Sequence, residues 1–185
     1  WNGIRVSDGS GSTIRNCVFE ERTMARLYGY GVRNVESCEF RNNYDAMNVT
    51  EYSQVSVRDC VFRDNHYALR ISGHTPGHEA IVTGCEFDSN MSALDIGASG
   101  YVLVDSCSFT RSSSGGYSWQ SDASLDINAG QFDHVLVRNC DFRNNNSTNS
   151  AGAVDVYASE GYVELNNCLF ADNSAAELGG AIQSR

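Results

Sequence analysis

Ile14-Arg15-Asn16-Cys17-Val18-Phe19 is the first of seven copies of one phrase: an aliphatic residue, two others, Cys, one residue, then Phe. The others run from Val35 to Phe40, Val57 to Phe62, Val82 to Phe87, Val104 to Phe109, Val137 to Phe142 and Leu165 to Phe170. Together they take up all seven cysteines and seven of the eight phenylalanines. Successive cysteines are 21, 22, 25, 22, 33 and 28 residues apart. A period of roughly 20–50 residues marks a chain built from stacked repeats.

A second anchor makes the spacing orderly. A small residue followed by an alternating segment recurs between the cysteines, as in Ala46-Met47-Asn48-Val49, Ala68-Leu69-Arg70-Ile71, Ala93-Leu94-Asp95-Ile96, Ser124-Leu125-Asp126-Ile127 and Ala153-Val154-Asp155-Val156. Counting Ala25 and Ala181 as members of the set places Ala25, Ala46, Ala68 and Ala93 each eight residues after a cysteine. Val102-Leu103-Val104, Val135-Leu136-Val137 and Val163-Glu164-Leu165 also alternate with period two, as half-buried strands do. Asn stands three residues after Phe at Asn43, Asn65, Asn90, Asn145 and Asn173. Asn there suits a left-handed or bridging corner and can bond to its counterpart one coil away. No stretch reads as a capped helix.

Three short strands per coil of ~22 residues, stacked in register, describe an all-β, single-stranded parallel β-helix of about 7–8 coils. Residues 1–185 form one such domain, and at ~4.8 Å per coil the rod is roughly 35–40 Å long. Identical side chains then stack in columns. A column of thiols sets parallel side chains against the ~90° disulfide dihedral, so buried free cysteines are expected.

The phrases Phe40-Arg41-Asn42-Asn43, Phe62-Arg63-Asp64-Asn65, Phe87-Asp88-Ser89-Asn90, Phe142-Arg143-Asn144-Asn145 and Phe170-Ala171-Asp172-Asn173, with Gly179-Gly180-Ala181-Ile182, resemble the FxxN and GGAI repeats of polymorphic outer-membrane proteins. They are similar, more widely, to the right-handed, pectate-lyase-like β-helix superfamily. The resemblance implies the right-handed winding. It implies no single activity, because that fold carries adhesins, tailspikes, polysaccharide lyases, hydrolases and epimerases.

The net charge is −10 and every one of the 13 basic side chains is arginine. An acidic chain without a basic cluster is not a nucleic-acid binder. Lacking lysine, it has no Schiff-base or lysine general-base chemistry. No 18-residue apolar run suggests a membrane-spanning helix. Neither end carries an amphipathic cap, so a fragment, a processed chain or a subunit stacking end to end is expected. The sequons beginning at Asn48, Asn90, Asn145 and Asn146 matter only in a glycosylating secretory route.

The outward column of the first strand reads Arg5, then Arg26 or Leu27, then Asn48, Arg70, Asp95, Asp126, Asp155 and Gln183. Carboxylates one coil apart lie roughly 5 Å from each other and repel. Asp95, Asp126 and Asp155 therefore form a solvated ladder, or hold a cation such as calcium, or include a member with a raised pKa. In the last case Asp95, Asp126 and Asp155, with Arg70, are the catalytic candidates, since ~5–9 Å between carboxyls covers both glycosidase geometries. The signatures of polygalacturonases and lyases are absent, with no Asn-Thr-Asp, Asp-Asp or Gly-His-Gly. Corner insertions at residues 111–122, 144–152 and 172–180 are expected to lie side by side. Tyr117 and Trp119 in the first, beside Asp126 and Asp155, are candidate sugar contacts. His74 and His78, around Pro76, form a weaker metal candidate. Outward Tyr101, Ile81, Leu103, Leu136 and Tyr162 make an apolar patch fit for lateral packing, unless a shifted alternation makes them core.

These features favour a non-catalytic, extracellular or cell-surface module of adhesin type. It would bind a polysaccharide or cell-surface glycan, or assemble with itself by end-to-end or lateral stacking. The alternative is a lyase, epimerase or hydrolase acting on an acidic polysaccharide.

Overall fold

The computed structural model describes residues 3–6, 11–21, 24–28, 31–50, 53–114, 123–130, 133–149 and 151–185. Among them every regular element is a strand, and every pairing between coils is parallel. Three ladders run the length of the rod. The first comprises Gly3–Val6, Met24–Tyr28, Asp45–Thr50, Tyr67–Thr83, Ser92–Asp105, Leu125–Ala129, Val154–Ala158 and Ile182–Ser184. The second links Ser12–Arg15, Gly31–Glu36, Ser53–Arg58, the later parts of Tyr67–Thr83 and Ser92–Asp105, His134–Arg138 and Tyr162–Asn166. The third links Val18–Glu20, Glu39–Arg41, Val61–Arg63, Glu86–Asp88, Ser108–Thr110, Asp141–Arg143 and Leu169–Ala171. Seven strands in the second and third ladders and eight in the first agree with the expected coil number.

Period-two alternation decides which side chains point in. Met47, Leu69, Leu94, Leu125 and Val154 occupy one register column and Val49, Ile71, Ile96, Ile127 and Val156 another, all buried. In the second ladder Val55, Ala80, Val102 and Val135 line up, as do Val57, Val82, Val104 and Val137. Full burial of each such side chain contributes about 1.5–3 kcal/mol before chain entropy is counted. One inner position breaks the pattern. Arg33 stands in the column of Val55 and is fully buried.

The repeated phrase forms two further columns. Phe19, Phe40, Phe62, Phe87, Phe109, Phe142 and Phe170 stack with ring centroids 4.6–4.9 Å apart and planes within 6°. The cysteines are all free. Each thiol from Cys38 onward donates to a carbonyl of the preceding coil, as Cys60 does to Val35 O at 3.7 Å. Burial pushes the Cys38 thiol up to about 11.

The asparagines bond from coil to coil as expected. Asn65 Nδ2 donates to Phe40 O at 2.9 Å and to Asn90 Oδ1 at 3.0 Å, while Asn65 Oδ1 accepts from Asn43 N at 3.0 Å. Where Asn is missing, Ser112 continues the ladder by donating its amide N–H to Asn145 Oδ1 at 3.0 Å. The left-handed backbone, however, belongs to the residue before each Asn. Asn42, Asp64, Ser89, Arg111, Asn144 and Asp172 have φ of 54–56°. A second left-handed corner precedes each Cys, for example Ser37 at 51° and Asn139 at 53°. Each circuit thus turns twice through a conformation costing an ordinary residue roughly 1–2 kcal/mol. Burial of Asn90 and Asn145 in this ladder withdraws those two sequons from the folded surface.

Two expectations about register need correction or completion. Ala25 pairs with Met47, so it is a core-column residue rather than the small anchor aligned with Ala46. Arg26, not Leu27, takes the register position of Asn48. The three insertions open side by side, as a short parallel sheet of Ser113–Ser114, Asn146–Ser147 and Ser174–Ala175; residues 115–122 of the first lie outside the described set. Gly152 is where the second insertion meets the third. A Cβ there would lie 2.5 Å from Ser174 O and hard against Gly180 O, so no side chain fits.

Candidate functional site

The outward column of the first ladder is continuous in register: Asn48, Arg70, Asp95, Asp126, Asp155 and Gln183 stand on successive coils. The three carboxylates therefore occupy one face of adjacent strands. Their surroundings differ. Asp155 is only 2% exposed; its Oδ2 accepts from Arg185 Nη2 at 2.7 Å. Burial raises the Asp95 carboxyl above its ordinary pKa, with the Arg70 charge partly opposing the shift. Asp126 lies between these two and is itself engaged by a neighbour.

Arg70, next to Asp95 in register, is held by Asp45. Its Nη2 donates to Asp45 Oδ2 at 2.6 Å and its Nε to Asp45 Oδ1 at 3.3 Å. Its guanidinium also lies 4.3 Å above the Tyr67 ring centroid, a cation–π distance. Three oxygens of this face are buried without a hydrogen-bond partner among the described residues: Asn48 Oδ1, Asp155 Oδ1 and Gln183 Oε1. No group of three or more His, Cys, Asp or Glu side chains converges to hold a metal ion among the described residues. Asp95, Asp126 and Asp155 share a column without forming such a set.

An aromatic cluster borders this face. Tyr44 is 63% exposed and stacks on His66 at 4.4 Å. Tyr67 stands edge-on to His66 at 4.4 Å and to Tyr44 at 5.8 Å. Desolvation, then the Arg70 charge, lowers the His66 pKa, keeping the imidazole neutral at pH 7. Tyr44 and His66 follow the ladder asparagines Asn43 and Asn65, and the same corner position passes through Met91, Ser113, Asn146 and Ser174. The corner that carries aromatic rings in the early coils therefore carries the insertions in the later ones. Counting one residue past each Asn aligns Tyr44 with His66; a period anchored on the Asn itself passes over both.

Tyr117 and Trp119 lie outside the described residues. The backbone of His74, Pro76 and His78 belongs to Tyr67–Thr83, but their side chains are likewise outside the described set.

The outer face of the second ladder carries an apolar patch. Ile81, Leu103 and Leu136 form one column. Tyr101, His134 and Tyr162 form the next, with ring centroids 5.4 and 4.9 Å apart. Their inward neighbours Val102, Val104, Val135 and Val137 are the buried ones, so the patch is surface and not shifted core. Asp105 and Arg138 flank it, joined at 2.8 Å. The Asn139 amide, followed by Arg138 among other donors, holds the Asp105 carboxyl below its ordinary pKa. The third ladder's outer face is laced with exposed ion pairs such as Arg41–Glu20 at 2.9 Å and Arg143–Asp141 at 2.7 Å, each worth little in water.

No helix of the described residues is long and apolar enough to cross a membrane, which leaves a β-barrel span untouched. The family model described as "Right handed beta helix region" matches residues 2–109. The model of the Chlamydia polymorphic membrane protein repeat matches residues 167–185. No curated protein and no solved structure matches the chain. With the family match spanning more than half of a chain whose coils stack in parallel register from end to end, the protein belongs to the right-handed β-helix family.

Proposed function

We propose that this chain is a non-catalytic, surface-displayed β-helix module of adhesin type that binds a glycan along the corner beside the first ladder. The observation that carries this reading is the Tyr44 ring, 63% exposed on a hydrogen-bonded corner and backed by His66 and Tyr67. An exposed ring held by its neighbours costs little entropy to use and suits the apolar face of a pyranose. Beyond the rings the corner continues as Ser113, Asn146 and Ser174, whose polar groups suit sugar hydroxyls. From Tyr44 to Ser174 is five coils, or about 24 Å at ~4.8 Å each, room for several sugars. A sugar-contact role for Tyr117, Trp119, Asp126 and Asp155 is part of the same proposal. The polymorphic membrane protein repeat match at residues 167–185 supports a place at the cell surface.

A second reading has one observation in its favour. Asp95, with its raised pKa, stands next to Asp126 in register, as a general acid stands near a nucleophile in a glycosidase. Against it, Arg70, the base candidate for a lyase, is tied to Asp45.

Calorimetric titration with cellohexaose, chitohexaose and hexagalacturonate, with and without calcium, tests both readings when paired with assays for new reducing or unsaturated ends. Saturable binding without new chain ends is expected. Tyr44→Ala should weaken it about tenfold, the equivalent of the ~1.4 kcal/mol a well-placed ring contributes. Chain cleavage abolished by Asp126→Ala would replace the first reading with the second. Absence of binding to any oligosaccharide would remove both.

A further inference from the structure

Among the described residues, the apolar patch on the outer face of the second ladder has no counterpart on the other two ladders. Across four consecutive coils it presents three columns. The first is Glu79, Tyr101, His134 and Tyr162; the second is Ile81, Leu103, Leu136 and Glu164; the third is Thr83, Asp105, Arg138 and Asn166. Tyr162 is 57% exposed at one end. Its hydroxyl donates to Glu164 Oε2 at 3.3 Å, and Asn166 Nδ2 donates to Glu164 Oε1 at 3.2 Å. The Glu164 carboxylate is thereby held sideways within its own strand. Contiguous apolar surface of this kind on a soluble face marks an interaction site.

From this arrangement we infer that the face packs against the same face of a second copy of this chain, with the two rods antiparallel and the two-fold axis passing between Leu103 and Leu136. The charge pattern selects that geometry. An axis between those coils sets Leu103 against the second copy's Leu136 and Tyr101 against its His134. It also sets Asp105 against Arg138 twice, so that two ion pairs already present at 2.8 Å become a ring of four alternating charges. Glu79 then meets the hydroxyl end of Tyr162, Ile81 meets Glu164, whose carboxylate is already held by Tyr162 and Asn166 of its own strand, and Thr83 meets Asn166. Centring the axis on Leu103 would place Asp105 against Asp105; centring it on Leu136 would place Arg138 against Arg138. Moving it one coil toward Ile81 would bring Arg58 against Arg138. Parallel rods would oppose Glu164 to Glu164 and His134 to Arg138. Of these arrangements the first alone sets Leu103 against Leu136 and also pairs Asp105 with Arg138, with Ile81 facing Glu164 at either end. Self-complementarity of this sort is what a two-fold interface requires. The patch is small beside a standard interface of roughly 800 Å² per partner, so a dimer forming at micromolar or higher concentration is expected.

Sedimentation equilibrium of the full chain over a wide concentration range reads the association directly. A monomer–dimer equilibrium is expected, and Leu103→Glu should abolish it while leaving the circular dichroism spectrum and melting curve unchanged. Orientation is read by oxidative cross-linking of two surface-thiol variants, with peptide mapping to exclude the native cysteines. Leu103→Cys mixed with Leu136→Cys should cross-link, and neither variant should cross-link efficiently alone. A chain that stays monomeric throughout would overturn the proposal. A dimer indifferent to Leu103→Glu, as end-to-end stacking would give, would also overturn it, as would preferential self-cross-linking of Leu103→Cys.

Discussion

The first and second ladders are built from the same coils, and two of their strands, Tyr67–Thr83 and Ser92–Asp105, run through both. Their inner faces are built alike, mostly of buried aliphatic residues, with Arg33 in the second as the exception. Their outer faces share nothing. The first shows Asn48, Arg70, Asp95, Asp126, Asp155 and Gln183; the second shows Ile81, Leu103 and Leu136 beside Tyr101, His134 and Tyr162. Stacking constrains only the inward half of each strand. The outward half is free to differ, and where it departs from a mixed polar surface the departure points to a role. On one flank the role we propose is polar contact with a ligand, and on the other packing against a second copy of the chain.

Substitutions inside and outside the rod sharpen this contrast. The largest effect is expected from Phe62→Ala, which opens a gap between Phe40 and Phe87, stacked at 4.8 and 4.9 Å on either side. It should cost about 3–5 kcal/mol in urea unfolding, while self-association of the folded fraction is unchanged. Asn65→Ala comes next. It removes two donated bonds and one accepted bond in a buried ladder, and leaves Phe40 O and Asn43 N without that partner. A loss of roughly 2–3 kcal/mol is expected by the same measurement.

Asp95→Asn should act in the opposite direction. Because the folded carboxyl has a raised pKa, the neutral form favours folding. That contribution is fully present below the ordinary aspartate pKa and lost as pH rises through the folded value. The variant should therefore melt higher than the parent at pH 7, with the advantage vanishing below about pH 3.8. An advantage independent of pH would mean that the charge is not the cause. Leu103→Glu is expected to change stability least, within about 0.5 kcal/mol, and yet to be the substitution that abolishes the dimer. A large loss of stability there would place Leu103 in the core and erase the difference between the flanks.

The inner columns were legible because they repeat: Cys and Phe recur at one spacing, and a stacked chain turns equal spacing into contact. The carboxylate column was legible for the same reason, as Asp95, Asp126 and Asp155 each follow a core leucine or valine. What could not be read is what does not repeat. Asp45 captures Arg70 from the preceding coil through a single pairing, and no period announces it. The left-handed corners fell on the residue before each Asn because the Asn side chain is used between coils and must point into the ladder. Arg33 occupies an inner position that alternation alone would give to an aliphatic residue. The Ala25 register slipped because the second coil reaches its core column one residue earlier than its neighbours do.

Thiol counting in the folded and unfolded protein tests the stacked register most directly. In native buffer the buried thiols of Cys38, Cys60, Cys85, Cys107 and Cys140 should resist labelling, with only the partly exposed Cys17 and Cys168 reacting. All seven cysteines should label once the chain is unfolded. Prompt native labelling of Cys85 or Cys107 would contradict the account, because a sulfur at mid-column can meet reagent only if the coils do not lie over one another.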